Sequence, residues 1–337
     1  MCGIAGYVQR RPPPDGTIDR MIAQLEHRGP DGSGVWHGQK NGWSIALGHR
    51  RLAIIDIEGG KQPLANEDRS VWITFNGEIY NFAQLRDDLQ NVGHCFATHC
   101  DTEAIVHHYE QHGAGGLDQF NGMFAFAIWD SNAGQLLLAR DRIGIKPLYF
   151  APLSDGGIAF ASELTALLAH PEIDRTLDIE GLTSYFFLDY AHPPHSLVRG
   201  AKKLQPGHSL LWTVNGLDQP KQFVRIASSS DPHSPPPKAN EAAEMLLNKL
   251  NASVKSQLMS DVPVGVFLSG GIDSSMVAAL AQWNSSRQLT TFSIGFEDPQ
   301  YDESRYARLA ATRLGTCHIE QTFTEAALLR SLDEALD

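Results

Sequence analysis

The 337-residue chain is 42% hydrophobic and 20% charged, with a formal net charge of -12 and no basic tract to offset it, which argues against non-specific nucleic-acid binding. No run approaches the roughly 18 apolar residues of a membrane span, and Pro12, Pro13, Pro14 and Asp15 stand where a secretory leader would be apolar. Its length suits two domains, and four cysteines without a leader point to a reduced, cytoplasmic compartment.

The chain opens MCGIAG, with Cys2 directly behind Met1. A small second residue merely permits removal of the initiator. Once Met1 is removed, however, Cys2 carries both a thiol and a free α-amine. Residues 1 to about 225 then read as short strands with few helices. SVWITFNGE (70–78) and GMFAFAIWD (122–130) are rich in β-branched and aromatic residues, and QLLLARD (135–141) and GIAFASE (157–163) read as further strands. The second and third are joined by SNAG (131–134), a plausible hairpin. Helical patches are expected at 16–27, 81–92 and 102–112.

SSSDPHSPPPKA (228–239) has nothing to bury and reads as a linker. Beyond it, Leu246, Leu250, Val254 and Leu258 recur every four residues, an amphipathic helix. VPVGVFLS (262–269) is a continuous apolar run, expected to be a strand buried on both faces of a parallel sheet. A helix (274–283), a strand (289–296) and a helix (303–314) follow. This alternation predicts a doubly wound α/β unit. The chain stops at Asp337 inside a helical pattern, after too few strands for a whole sheet, so further chain is expected.

FLSGGIDSS (267–275) falls between strand and helix, where backbone N–H groups converge on an anion. Gly270 and Gly271 let backbone approach phosphate, Ser269, Ser274 and Ser275 offer hydroxyls, and Asp273 suits a magnesium ion on pyrophosphate. No GK[ST] follows, so it is not a Walker loop. A generic glycine turn is the plain alternative. The string SGGxDS after an apolar strand resembles the PP-loop of ATP pyrophosphatases, which adenylate a substrate and release pyrophosphate. That resemblance makes Leu268 and Ile294, at the ends of adjacent strands, candidates to flank adenine.

In the first domain a Cys2 amine with a pKa near ~8 could take the thiol proton, replacing the histidine of a Cys–His pair. Attack on an amide needs oxyanion donors, each worth about 3–4 kcal/mol. FNGEIYN (75–81) offers the Asn76 amide and the Gly77 N–H. An arginine of GHRRLAIID (48–56) could clamp an α-carboxylate, and Asp101 of CDTEAI (100–105) an α-ammonium. Singly, these read as a surface ion pair, a helix N-cap and a turn.

MCGIAG, HRGPDG (27–32), GHRRLAIID, FNGEIYN, CDTE, GMFAFAIWD and ARDRIGIKPLYF (139–150), in this order, resemble the class II glutamine amidotransferase domain. With SDVPVGVFLSGGIDSS behind them, the whole chain is similar to the glutamine-hydrolysing asparagine synthetase family. The fold this implies is an α+β N-terminal-nucleophile αββα sandwich (1–225), a linker (226–240) and a partial PP-loop α/β domain (241–337).

The resemblance assigns Cys2 as nucleophile and Asn76 and Gly77 as the oxyanion hole. Glutamine would be held by Arg51, Leu52, Ile54, Asn76, Gly77, Glu78 and Asp101. Arg50 would point to the opposite strand face. ATP would be held by Leu268, Ser269, Gly270, Gly271, Asp273, Ser274 and Ile294, and YDES (301–304) also fits the family pattern. The implied chemistry is a glutamyl thioester on Cys2, ammonia passed internally, and aspartate activated by ATP and Mg2+ to an acyl-adenylate, giving asparagine, AMP and pyrophosphate. Pairing of two copies is also implied.

Two alternatives stay open. Another carboxylate acceptor would suit the same machinery. If nothing follows Asp337, the missing S-G-E-G-[AS]-D-E string leaves a glutaminase or regulatory module. HCFATHC (94–100) offers two His and two Cys, but as a strand it would split them between two faces, so a packed strand is expected rather than zinc. His107 and His108 lack a spaced carboxylate partner and are expected to be surface or core. Cys317 is expected to be a buried thiol.

Overall fold

Period-two alternation builds the first half of the chain. The computed structural model describes residues 1–224 and 236–336, in two compact units, Met1–Ser228 and Ser229–Asp337. In chain order the first unit contains β1 (Gly3–Gln9), α1 (Thr17–Ala23), β2 (Gly32–Lys40), β3 (Trp43–Arg51), β4 (Leu64–Ala65), β5 (Val71–Ile79), α2 (Phe82–Asn91) and α3 (Asp101–His112). It continues with β6 (Gly122–Asp130), β7 (Gln135–Arg140), β8 (Tyr149–Pro152), β9 (Ile158–Ala161), α4 (Leu164–Leu168), α5 (Ile179–Leu188), β10 (Lys202–Lys203), β11 (His208–Thr213), β12 (Gly216–Leu217) and β13 (Lys221–Gln222).

The strands form two antiparallel sheets, in the orders β10-β8-β9-β1-β3-β2 and β12-β11-β7-β6-β5-β4. Side chains alternate across each strand, so both faces of both sheets are covered. Ile4, Val8 and Trp43 of the first sheet meet Ala125, Trp129 and Trp212 of the second. On the outer face of the first sheet, Ala5 and Tyr7 pack with Ile18 and Met21 of α1 and Leu167 of α4. Phe75, Phe126 and Ile128, on the outer face of the second, pack with Leu85 and Leu89 of α2 and Ile105 of α3. Helix, sheet, sheet, helix is the expected αββα sandwich. Each fully buried Phe or Ile contributes about 1.5–3 kcal/mol through apolar burial. The expected hairpin is β6 and β7, paired from Ala125 with Arg140 to Asp130 with Gln135.

The second unit contains α6 (Ala239–Gln257), β14 (Gly265–Phe267), α7 (Ile272–Asn284), β15 (Thr290–Phe296), α8 (Ser304–Leu314), β16 (Cys317–Phe323) and α9 (Glu325–Leu336). Its sheet is parallel, in the order β14-β15-β16. Leu268, Ala278, Ala307 and Ala311 form its core, where small residues let α7 and α8 approach.

Several expectations are corrected here. The strand of the 262–269 run is confined to Gly265–Phe267, which among the described strands pairs with β15 alone, and Phe267 is 77% exposed rather than buried. Leu246, Leu250 and Val254 of the four-residue repeat lie on α6, with Leu258 its C-cap, yet no side chain of that helix is fully buried. Cys317 is exposed. HCFATHC is not a strand: among the described residues its amides go to carboxylates, Cys95 to Glu67, Ala97 and Thr98 to Glu103, and His99 to Asp56. His107 and His108 are both buried, and His107 does have spaced carboxylates, Glu110 at 2.8 Å and Glu103 at 3.7 Å. Most of the 228–239 linker lies outside the described residues. Among the described residues no helix is long and apolar enough to cross a membrane.

Candidate active site

The two sheets each bring half of one pocket. β1 and β3 pair with Gly3 opposite Arg50, so Cys2, one residue before β1, lies beside Arg51 at the end of β3. Asn76, Gly77 and Glu78 come from β5 in the other sheet, and Asp101 begins α3. Cys2, Arg51, Leu52, Ile54, Asn76, Gly77, Glu78 and Asp101 all line a single cavity of about 110 Å³. Every residue proposed from sequence for glutamine therefore faces the same space.

The thiol is held and mostly buried. Cys2 Sγ lies 3.4 Å from the Leu52 N–H, which donates to it, and 3.6 Å from the Leu52 carbonyl. Burial pushes the Cys2 thiol up, and burial pulls the Met1 amine down. The pocket thus favours neutral thiol and neutral amine, the state from which an amine accepts a proton.

Asn76 is 1% exposed, and neither its carboxamide oxygen nor its nitrogen has a hydrogen-bond partner. A buried carboxamide without partners costs free energy in the resting protein and is rare without a function. Alternation along β5 explains its position: Phe75 faces the helices, and Asn76 faces the other sheet. At Gly77 a Cβ would collide with the Met123 carbonyl oxygen of β6. Only glycine lets the strands pair this closely there.

Arg51 is fixed through three carbonyls. Nη1 donates to Ile57 O at 2.6 Å, and Nη2 donates to Asp56 O at 2.6 Å and Ile55 O at 3.3 Å. Arg50 points away and pairs with Glu26 at 2.7 Å, as strand alternation requires.

Asp101 accepts from the Ile79 N–H at 2.9 Å. It is the first residue of α3 and not its N-cap, which is Cys100. Burial, with Glu78 nearby, pushes its carboxyl up to about 7, and burial also raises Glu78. Two desolvated carboxyl groups on one wall are a place for a cation.

Three residues that sequence reasoning left without a role complete the site. Arg28 of HRGPDG donates through Nε to the Cys2 carbonyl at 3.0 Å, and through Nη1 to Glu163 at 2.6 Å. Lys146 of IGIKPLYF lines the cavity at 4% exposure, and burial lowers its pKa. His49 is fully buried on β3, and its Nε2–H donates to the Phe75 carbonyl at 3.1 Å, while Thr74 Oγ1 donates to the Gly48 carbonyl at 3.0 Å. Both bonds join one sheet to the other directly beneath Asn76. Burial holds His49 neutral, with its pKa pulled down to about 4. All three lie inside strings already quoted, but only the facing of the sheets reveals what they touch.

In the second unit, Leu268, Ser269, Ser274 and Ile294 line a cleft of about 460 Å³ with Tyr301, Glu303 and Ser304. Gly270 has φ +85°, and a Cβ there would collide with the backbone of Tyr306 and Ala307 in α8. Gly271 caps α7, and Ser269 Oγ and Ser274 Oγ are 2.9 Å apart beside it. Asp273, in the first turn of α7, is exposed and not among the residues lining the cleft. Asp302 accepts from Ser304 N–H at 3.2 Å and from Ser304 Oγ at 2.9 Å, so the YDES string closes the loop after β15.

The αββα sandwich with its first residues in the cleft between sheets is that of an N-terminal-nucleophile amidotransferase. Residues 1–224 match the family model described as glutamine amidotransferase domain, and residues 245–337 the one described as asparagine synthase. Asparagine synthetase [glutamine-hydrolyzing] 3 of Bacillus subtilis is 34% identical, over all of this chain and 56% of its own length. A putative asparagine synthetase of Methanocaldococcus jannaschii is 34% identical over all of this chain and 67% of its own, and asparagine synthetase 2 of Arabidopsis thaliana 36% identical over all of this chain and 53% of its own. A solved structure of the allosteric regulatory enzyme of purine biosynthesis aligns with a TM-score of 0.50 at 17% identity, over 96% of this chain and 80% of that one, a likeness of fold. The chain belongs to the glutamine-hydrolysing asparagine synthetase family. It spans about half the length of the Bacillus subtilis and Arabidopsis thaliana relatives, 56% and 53%.

Proposed function

We propose that the protein makes asparagine from aspartate, with ammonia taken from glutamine at Cys2 and ATP consumed in the second unit. Met1 is removed, and the amine of Cys2 takes the thiol proton. The thiolate attacks the side-chain amide carbon of glutamine. The Asn76 carboxamide and Gly77 N–H receive the oxyanion, Arg51 holds the α-carboxylate with Leu52 and Ile54 shaping the cleft, and Glu78 and Asp101 hold the α-ammonium. Collapse releases ammonia and leaves a glutamyl thioester, which water hydrolyses. The buried, unpartnered carboxamide of Asn76 carries this reading.

In the second unit, Ser269, Gly270, Gly271 and Ser274 at the start of α7 would receive phosphate oxygens, with Leu268 and Ile294 flanking adenine. A magnesium ion, when bound, neutralises phosphate charge. Asp273 offers the hard carboxylate such an ion prefers. We assign residues 1–225 to the glutaminase domain, 241–337 to the ATP-using domain and 226–240 to the link, and place the protein in the cytoplasm, where its four unpaired cysteines persist. Two copies are proposed to pair.

The test combines aspartate, ATP and glutamine with the full-length protein. Asparagine, AMP and pyrophosphate are the expected products, and Cys2→Ala is expected to stop glutamine-dependent synthesis while sparing synthesis from ammonium. Glutamine hydrolysis without asparagine would overturn aspartate as acceptor.

A further inference from the structure

Away from the glutamine pocket, the segment HCFATHC carries His94 to the side of α3, where a second cluster of donors meets. One donor atom each from His94, His107 and Glu110 lie within 4.8 Å of one another. His107 Nδ1 is 2.8 Å and His94 Nδ1 3.8 Å from the same oxygen, Glu110 Oε2. Glu67, from the turn after β4, brings Oε2 to 3.9 Å from His107 Nδ1. A tetrahedral zinc ion with ligands at about 2.0–2.1 Å separates them by about 3.3–3.4 Å, so these spacings bracket what one ion requires.

The far atoms of His94, Glu110 and Glu67 are tied down, as oriented ligands demand. His94 Nε2 is 3.3 Å from Gln111 Oε1, Glu110 Oε1 accepts from Asn66 Nδ2 at 2.6 Å, and Glu67 Oε1 accepts from the Cys95 N–H at 3.3 Å. His107 is fully buried, and its Nε2 faces Glu103 at 3.7 Å without a hydrogen bond. Charge points the same way. Glu67, Glu103 and Glu110 surround two imidazoles; one imidazolium would leave two negative charges uncompensated, and a dication with neutral imidazoles leaves one.

We infer that His94, His107 and Glu110, with Glu67 as fourth ligand, form a site for one zinc-class divalent cation. Imidazole nitrogen with carboxylate suits zinc better than magnesium or calcium, which prefer oxygen alone. Any proton on His107 Nδ1 leaves to solvent as the ion binds. The ion would pin the 94–100 segment, which leads into Asp101, against α3.

The test uses the whole chain, stripped with a chelator and dialysed against Zn2+ or Co2+, as wild type and in a background with Cys2, Cys95 and Cys317 changed to Ala that removes the accessible thiols. One ion per chain is expected, with the intense visible bands of tetrahedral Co2+. His94→Asn and Glu110→Gln, at partly exposed side chains, should each weaken binding on the order of 10–100-fold while the far-ultraviolet circular dichroism stays unchanged. Absence of stoichiometric binding by the folded wild type, or binding by both variants as tight as wild type, would overturn the site and leave His107 as an imidazolium between carboxylates.

Discussion

Asn76 and Asp101 are each placed against their own stability. Both are buried in states that cost the resting protein free energy, one with two unpartnered polar atoms, the other with a carboxyl raised to about 7. Asn76→Ala should therefore lower glutaminase kcat about 10²–10³-fold, the usual loss for one oxyanion donor, without lowering the melting temperature. For Asp101 the sign is set by its raised pKa. The folded state holds the proton more tightly than the unfolded chain, so the stability this contributes is full below about pH 4 and lost as pH rises through about 7. Asp101→Asn should melt higher than wild type at pH 8, by about 2–4 °C per kcal/mol recovered, with the difference vanishing near pH 4. The same variant should lose kcat/KM for glutamine, because the α-ammonium then meets the charge of Glu78 alone. In wild type, kcat/KM should rise with pH through about 7 as Asp101 ionises. Residue roles were legible as types, amide donor, clamp and carboxylate. The absence of partners around Asn76 was not, because it depends on what two strands distant in sequence fail to offer.

Strands announce themselves through composition, and β5 and β6 were readable from their Val, Phe, Trp and Ile, while β7 followed from the SNAG turn behind β6. HCFATHC has a similar look, yet its amides are claimed by Glu67, Glu103 and Asp56, carboxylates whose approach no local pattern encodes. The apolar run 262–269 was likewise legible as a strand but not in its extent, since only Gly265–Phe267 pair with β15. Between sheets, His49 and Thr74 set the height of β5 over β3. His49→Leu removes the donor to Phe75 and should reduce glutaminase kcat more than it raises KM, because Asn76 moves with Phe75 while Arg51 stays anchored to the carbonyls of Ile55, Asp56 and Ile57. His49→Gln, which keeps an N–H donor, should recover part of the rate. Equal losses in both variants would reduce His49 to a packing residue.

Across the whole molecule, two units with different sheets are proposed to carry two chemistries. The division was legible because the hydrophobic period changes beyond the Ser/Pro-rich stretch. In the second unit the sharpest constraint is Gly270, where positive φ and the α8 backbone both exclude a side chain. Gly270→Ala should abolish ATP binding by the full-length protein, measured by calorimetry; undiminished affinity would move the phosphates away from this turn.

The most direct measurement follows glutamine hydrolysis while intact-mass and peptide mass spectrometry locate the glutamyl adduct. A chain beginning at Cys2 is predicted to hydrolyse glutamine and to carry the adduct on its N-terminal peptide alone. With one residue added ahead of Cys2, or with Cys2→Ala, both hydrolysis and adduct should disappear. Undiminished hydrolysis by Cys2→Ala, or an adduct on Cys95, Cys100 or Cys317, would contradict the assignment.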